Sequence, residues 1–381
     1  MKVLEELSNH IDGRILELQD AKNAGSKMIG FVPNGYLPEE IIEAAAPKAI
    51  PIALARGGEN EPVLYSGSYI PRWLDTFYRA QVGYLMLKEN VLYNMVDLLV
   101  SSLLDCNQRA MNDAWSFFAE MPCFMFGVPH ENTDIAFDYY HEGVELLKQK
   151  IEETIGESIS DQKIKEAVHL TNKQRELLKE ISLLRKESTP LISGLQFVKL
   201  NHDSLIAEKG TMIGILEKYL SELKESNVEG RNGPRIMVTG GTLAVGDYKV
   251  LRMIEELGGD IVIEHFDAGL RDYWHQIEIG EDLLRTIADS YYNKKVPSAV
   301  FRNSSERQDF LIHLAKEFNV QGIISYELMY SECLQIEMFS FTKKVEEELG
   351  IPMIRIMSEY DPGESGALRT RIETFIETIR S

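Results

Sequence analysis

The 381-residue chain is poor in cysteine: Cys106, Cys123 and Cys333 are too few and too scattered for a disulfide framework. Their uses are then packing, metal binding or redox chemistry. Positive charge is also short, with 40 Lys and Arg against 60 Asp and Glu and a formal net charge of −20. Nucleic acids are held through clustered cations that neutralise phosphates, so this balance argues against a nucleic-acid partner. No apolar run approaches the length that spans a bilayer, and the amino-terminal M-K-V-L-E-E-L has no apolar signal core. The expectation is a soluble, cytoplasmic protein with no membrane partner. Neither G-x-G-x-x-G, nor a P-loop with its Lys, nor a C-x-x-C occurs, which removes the commonest nucleotide, zinc-ribbon and thioredoxin signatures.

What is present is a repeating unit of apolar run, Gly- or Pro-bearing turn and amphipathic helix, the sequence form of a parallel α/β sheet. After a first helix through Asn23, S-K-M-I-G-F-V and I-P-I-A-L read as strands, with P-N-G-Y-L-P-E-E and R-G-G-E-N-E-P as their turns. Runs from Val96 and around Cys123 supply two more. Long charged helices with i,i+4 pairing then extend from Ile135 to about Glu225. A second set of strands follows in R-I-M-V-T-G-G, D-I-V-I-E-H-F, Q-G-I-I-S-Y-E-L and I-P-M-I-R-I-M. The predicted architecture is α/β, with two Rossmann-like parallel-sheet domains (1–134 and 232–381) and a helical bridging region (135–231).

Cys106 follows a buried strand in V-S-S-L-L-D-C-N-Q-R, where open α/β sheets place their ligands. The competing reading is a small buried hydrophobe. Cys333 repeats the arrangement in the second unit, in Y-E-L-M-Y-S-E-C, so one cysteine from each unit can face a shared cleft. Cys123, inside P-C-F-M-F-G-V, reads as core. Asp75 opens the helix T-F-Y-R-A-Q-V-G-Y as an N-cap or first-turn carboxylate and offers an oxygen ligand, with Glu332 as a second. Thiolates suit iron–sulfur clusters and zinc, and an incomplete thiolate set leaves a position open to a substrate oxygen.

Three further residues are candidates for substrate binding. Arg109 and Arg271 can donate to a phosphate or carbonyl, Arg109 reading equally as a surface residue paired with acids, and Tyr36 lies on the P-N-G-Y loop after the first strand. The glycines at 240, 241 and 246 read as a tight turn over the sheet, with a phosphate-binding loop as the alternative. His130 and His265 read as satisfied structural histidines.

The ordered set G-Y-L-P-E-E-I-I-E-A-A, D-T-F-Y-R-A-Q-V-G-Y, D-C-N-Q-R-A-M-N, F-G-V-P-H, the stretch from V-T-G-G to D-A-G-L-R-D-Y-W, and Y-S-E-C-L-Q-I-E resembles the 2-hydroxyacyl-CoA dehydratase and benzoyl-CoA reductase family over essentially the whole chain. The resemblance implies a lyase subunit with a [4Fe–4S] cluster at the interface of its two domains. It implies pairing with a second homologous subunit or with itself, and single electrons delivered by an ATP-dependent iron–sulfur activator protein. The implied substrate is an acyl-CoA whose thioester carbonyl meets the cluster's open iron, a ketyl radical easing loss of the 2-hydroxyl as water.

Family subunits hold the cluster through three cysteines. Cys106 matches the second, Cys333 or its neighbour Glu332 the third, and Asp75 stands where the first belongs. The family's A-A-G turn is here A-A-A-P-K, at Ala44 to Lys48. Three readings follow: Asp75 is an oxygen ligand, or the cluster has two open positions, or the chain is a cluster-free scaffold beside an active subunit. Reduction of the acyl-CoA, as in the benzoyl-CoA reductase branch, is the alternative to dehydration.

Overall fold

The computed structural model describes residues 2–225, 231–299 and 304–380. β1 (Lys27–Phe31), β2 (Ala49–Ala53), β3 (Leu98–Leu103) and β4 (Cys123–Gly127) form a parallel sheet in the order β2-β1-β3-β4. β5 (Arg235–Gly240), β6 (Asp260–His265), β7 (Gly322–Leu328) and β8 (Met353–Ser358) form a second parallel sheet in the order β6-β5-β7-β8. These eight strands fall on the eight apolar runs read from the sequence. Parallel strands covered on both faces have no solvated side to alternate with, and β7 is buried at every position. In each sheet the second strand goes to one side of the first and the third returns to the other. The order therefore reverses between β1 and β3, and again between β5 and β7, the points where α/β sheets open a crevice beyond their carboxyl ends.

Short polar side chains set where the helices start. Asp75 caps Thr76–Leu87 by accepting from the Phe77 amide at 2.8 Å, and Asp105 caps Cys106–Ala119 by accepting from the Gln108 amide at 2.8 Å. Ser193 and Gln196 form a reciprocal capping box at Gly194–Ser204. The long charged helices are Asp134–Ile155, Asp161–Leu183 and Lys209–Glu225. Gly156 ends the first of these in the left-handed region, at φ +68°. Residues 226–230, where the expected bridging region runs into E-G-R-N-G-P, lie outside the described residues. No helix among the described residues is long and apolar enough to cross a membrane.

Each sheet is closed by segments from the far half of the chain. Val3 and Leu7, on the first helix Lys2–Asn23, share a core with Met237, Val262 and Ile323 of the second sheet. Conversely Ile287, Tyr291 and Tyr292, which follow β6 in sequence, pack with Ile29, Leu98 and Val100 of the first. A third apolar cluster runs from Phe77 and Leu99 to Val238 and Tyr326. The backbones also meet: Val245 N donates to Ala55 O at 2.8 Å and Gly57 N donates to Val245 O at 3.0 Å. Gly58 has φ +84°, and a Cβ there would lie 2.9 Å from the Asp247 backbone, so this junction needs glycine.

Candidate functional site

The loops leaving β1, β3, β5 and β7 face one another. Asn34 after β1, Leu104 to Asn107 after β3, Gly241 and Thr242 after β5, and Ser331 to Leu334 after β7 line one pocket, partly open to solvent. The reversal points of both sheets thus open onto the same space. Asp75, Tyr78, Asp267 and Ser298 complete most of its wall. Three of the sequence candidates, Asp75, Cys106 and Cys333, are brought together here, with Glu332 beside them.

Three helices begin at this pocket. Thr76–Leu87 is capped by Asp75 and Cys106–Ala119 by Asp105, while Ser331 precedes Glu332–Leu349. A helix amino terminus carries roughly half a positive charge in partial charges on its free amides, so all three ends favour an anionic occupant. Cys106 is the first residue of its helix and Cys333 the second of its own, and both are exposed. The rim is held by two hydrogen bonds, one within the first half of the chain and one between the halves. Asp75 N donates to Asn107 Oδ1 at 3.0 Å, and Thr76 N donates to Met329 O, in the loop after β7, at 3.2 Å. Asn34 is fixed by donating to Ser102 O at 2.8 Å and accepting from Ser102 Oγ at 3.0 Å.

The pocket is short of positive charge. Its lining includes Asp75, Asp105, Asp267, Glu332 and two thiols, and no Lys, Arg or His among the described residues. Burial first, and Asp105 second, push Asp75 up to about 7 against the hydrogen bonds from Phe77 N and Ser331. Burial likewise raises Asp105, and it raises Asp267 to about 6 although Arg271 and Arg307 oppose it. The Cys106 thiol is raised by burial, then by Asp105 and Glu332, and Cys333 by the same three causes in the same order. Thiols held protonated are poor nucleophiles, which disfavours covalent catalysis by either cysteine. Metal binding reverses that logic, because the ion supplies the missing charge and deprotonates its thiol ligands.

Among the described residues, no three His, Cys, Asp or Glu side chains lie close enough to hold a single metal ion. Asp75, Cys106 and Cys333 instead ring a cavity. Two soft donors and one carboxylate around a partly open pocket, in the mouths of three helices, match a polynuclear iron–sulfur group in donor chemistry.

The other sequence candidates lie elsewhere. Arg271 is fully buried, its guanidinium 3.8 Å from the Tyr36 ring centroid, with Nε donating to Val296 O at 2.7 Å and Nη1 to Asn34 O at 3.0 Å. Tyr36 is also fully buried, its hydroxyl accepting from Ser298 N at 3.1 Å and its amide donating to Asn34 Oδ1 at 3.0 Å. Both residues stand behind the pocket wall and anchor Asn34 and Ser298, which line it. Arg109 points outward, its side chain 71% exposed, 3.6 Å from Asp113. Cys123 packs at the edge of the core, as its apolar setting predicts. His130 is hydrogen bonded to Leu104 O at 2.6 Å. His265 departs from expectation: it is fully buried, yet neither ring nitrogen has a hydrogen-bond partner among the described residues. Burial, with Arg307 and Arg271 nearby, keeps it neutral.

Gly241, just after β5, belongs to the pocket. A Cβ on Gly241 would lie 3.7 Å from Leu334 Cδ2 and Ser331 Oγ and 4.0 Å from Asp267 Oδ2, ordinary contact distances. Tyr78 and Asp267 are among the wall residues not singled out from the sequence. Tyr78 lies one turn beyond Asp75 on the same helix, and Asp267 follows β6 as Cys106 follows β3; those placements are the signals that point to them.

A family model described as 2-hydroxyglutaryl-CoA dehydratase, D-component, matches residues 34–379. The chain is 24% identical over 383 residues to YjiM of Escherichia coli (strain K12), a provisionally named dehydratase subunit, covering 99% of this chain and 98% of that one. It is 21% identical over 372 residues to the (R)-phenyllactyl-CoA dehydratase beta subunit of Clostridium sporogenes, covering 95% and 94%. It is 19% identical over 359 residues to a benzoyl-CoA reductase subunit of Thauera aromatica, covering 93% and 91%.

Proposed function

Because the chain belongs to the 2-hydroxyglutaryl-CoA dehydratase D-component family, we propose that it is the iron–sulfur subunit of a 2-hydroxyacyl-CoA dehydratase. In this reading it works with a second subunit and an ATP-dependent activator to eliminate water from an acyl-CoA. The observation that carries the reading is the pocket shared by both sheet reversal points, which gathers two thiols and four carboxylates with no cationic side chain among the described lining residues. That relatives are named as the beta or another subunit of their enzymes supports a heteromeric assembly.

Cys106, Cys333 and Asp75 would hold a [4Fe–4S] cluster, a set that leaves iron open to a substrate oxygen. When bound, the cluster supplies the one-electron chemistry that the side chains cannot. The chain's own residues do the rest. The three helix amino termini offset the negative charge of thiolates and sulfides. Arg271 and Ser102 lock Asn34 at the wall, so its position does not depend on a mobile loop. Asp267 and Tyr78 face the space where an acyl group would lie.

Asp75→Cys tests the ligand assignment. A third thiolate is expected to raise iron retention and to change the electron paramagnetic resonance spectrum of the reduced protein, because sulfur is the softer donor. Loss of the carboxylate cap costs about 1 kcal/mol of stability at the same time. Unchanged iron content and an unchanged spectrum would remove Asp75 from the ligand set. Reaction type is read anaerobically with partner subunit, activator and reductant: dehydration yields enoyl-CoA with no net electron uptake, whereas stoichiometric electron uptake without water loss would place the chain with the reductases.

A further inference from the structure

Lys295 is buried without a hydrogen bond for its ammonium. The residue is 2% exposed, and its Nζ has no hydrogen-bond partner among the described residues. It lies 3.7 Å from Asp272 Oδ1, beyond hydrogen-bonding reach, and 3.9 Å from the Tyr291 ring centroid. An ammonium carries three donors, and taking it out of water without pairing them costs far more than burying the neutral amine. Protonation of Lys295 therefore favours any arrangement that returns it to water. Lys295 also begins a short strap, residues 295–299, that is fastened at three points. Its own amide donates to Ser290 O at 3.1 Å, Val296 O accepts from Arg271 Nε at 2.7 Å, and Ser298 N donates to the Tyr36 hydroxyl at 3.1 Å. Ser298 and Ala299 at the far end line the pocket. One end of the strap thus holds an unpaired buried amine and the other a piece of pocket wall.

We propose that strap 295–299 is a proton-operated catch: with Lys295 neutral it stays seated and its far end closes one side of the pocket, and with Lys295 protonated it is released. The inference does not depend on what the pocket holds. Asp272 and Arg271 face Lys295 from the helix Leu270–Tyr273, Arg175 from Asp161–Leu183, Glu40 from Glu40–Glu43 and Tyr291 from the turn before the strap; Lys295 in turn acts on His275. Burial first and Arg175 second bring Lys295 down to about 7, with Arg271 adding to the fall and Asp272 and Glu40 opposing it. Against its own burial, Arg175 and Lys295 hold Glu40 at about 2. Burial keeps His275 at about 4 and Tyr291 well above the usual phenol range, and the guanidiniums stay charged. Burial raises Asp272 against Lys295, so that carboxyl is the control in the test. A lysine in water titrates near about 10.4, so the released state binds the proton more tightly than the seated one. The seated state accordingly gains as pH rises from 7 towards 10, and below 7 the advantage of release is already complete.

Hydrogen exchange of the full chain tests the catch, read as protection factors for the amides of Lys295, Val296, Ser298 and Ala299 after correction for the intrinsic rate at each pH. Wild-type protection is expected to rise roughly tenfold or more between about pH 7 and about pH 9, while amides of β5 and β7 hold steady. Lys295→Met, neutral throughout, should be protected at the lower pH as the wild type is at the higher, with no pH dependence. Asp272→Asn should keep a rise of the same sign, since burial and not the carboxylate drives the effect. A flat wild-type profile, a rise that survives in Lys295→Met or vanishes in Asp272→Asn, or a rise shared equally by β5 and β7 overturns the catch. Lys295→Gln takes the place of Lys295→Met if that variant does not fold. A titration of lysine Nζ by nitrogen-15 magnetic resonance decides independently of any variant: one lysine titrating at about 7 is expected, and none below about 9 overturns the proposal.

Discussion

Cys106→Ser and Cys333→Ser should each strip the chain of bound iron by roughly tenfold or more while leaving it folded. The set has only two sulfur donors, and each substitution replaces one of them with a harder, protonated oxygen. Stability should hardly move, because both residues are exposed at the first or second position of a helix, where serine is well tolerated. A change within about 0.5 kcal/mol is expected, as for most surface substitutions. Iron loss without unfolding is therefore the signature of a ligand. Cys123→Ser is the control: its sulfur packs at the core edge, near Met121 O at 3.4 Å, and iron should be retained. Iron content unchanged in both single variants would refute the assignment of either thiol.

The second large effect is on stability. Arg271→Met is expected to cost about 3–5 kcal/mol in denaturant unfolding, the range for removing one member of a buried polar network. The carbonyls of Asn34 and Val296 lose their donor, the Tyr36 ring loses the cation stacked on it, and Asp267 loses an opposing charge. Lysine is no substitute, since Nε and Nη1 bond two separated carbonyls and a single ammonium cannot reproduce that fork. By contrast Arg109→Ala should shift stability by under about 0.5 kcal/mol, its ion pair with Asp113 being exposed. A cost below about 1 kcal/mol for Arg271→Met would show that Asn34 is held by other means.

The contrast between these two arginines shows what was legible in the sequence. Eight strands could be read because each is a run of apolar residues closed by a turn, a local signal. The meeting of Cys106 and Cys333 was readable for a related reason: a loop after a strand at a sheet reversal point has only one crevice to face. Nothing local in G-L-R-D-Y-W tells a guanidinium aimed at solvent from one bonded to a carbonyl 237 residues earlier. Tyr36 is similar, since a loop tyrosine after a strand can line a cavity or support its wall. The packing of Val3 and Leu7 on the second sheet was also hidden, because an amphipathic helix declares its apolar face and not the surface it meets. His265 was misjudged in one respect: it reads from the sequence as a satisfied structural histidine, but no periodicity reveals whether a buried ring finds a partner.

The central claim is that this pocket holds an iron–sulfur group, and the direct measurement is iron and acid-labile sulfide per chain after strictly anaerobic purification, read with the electron paramagnetic resonance spectrum of the reduced protein. About four of each per chain, with a cluster signal that Cys106→Ser and Cys333→Ser abolish, is the predicted result. No iron and no sulfide, even after reconstitution and co-expression with a partner subunit, would contradict it and leave the chain a cluster-free companion within its family.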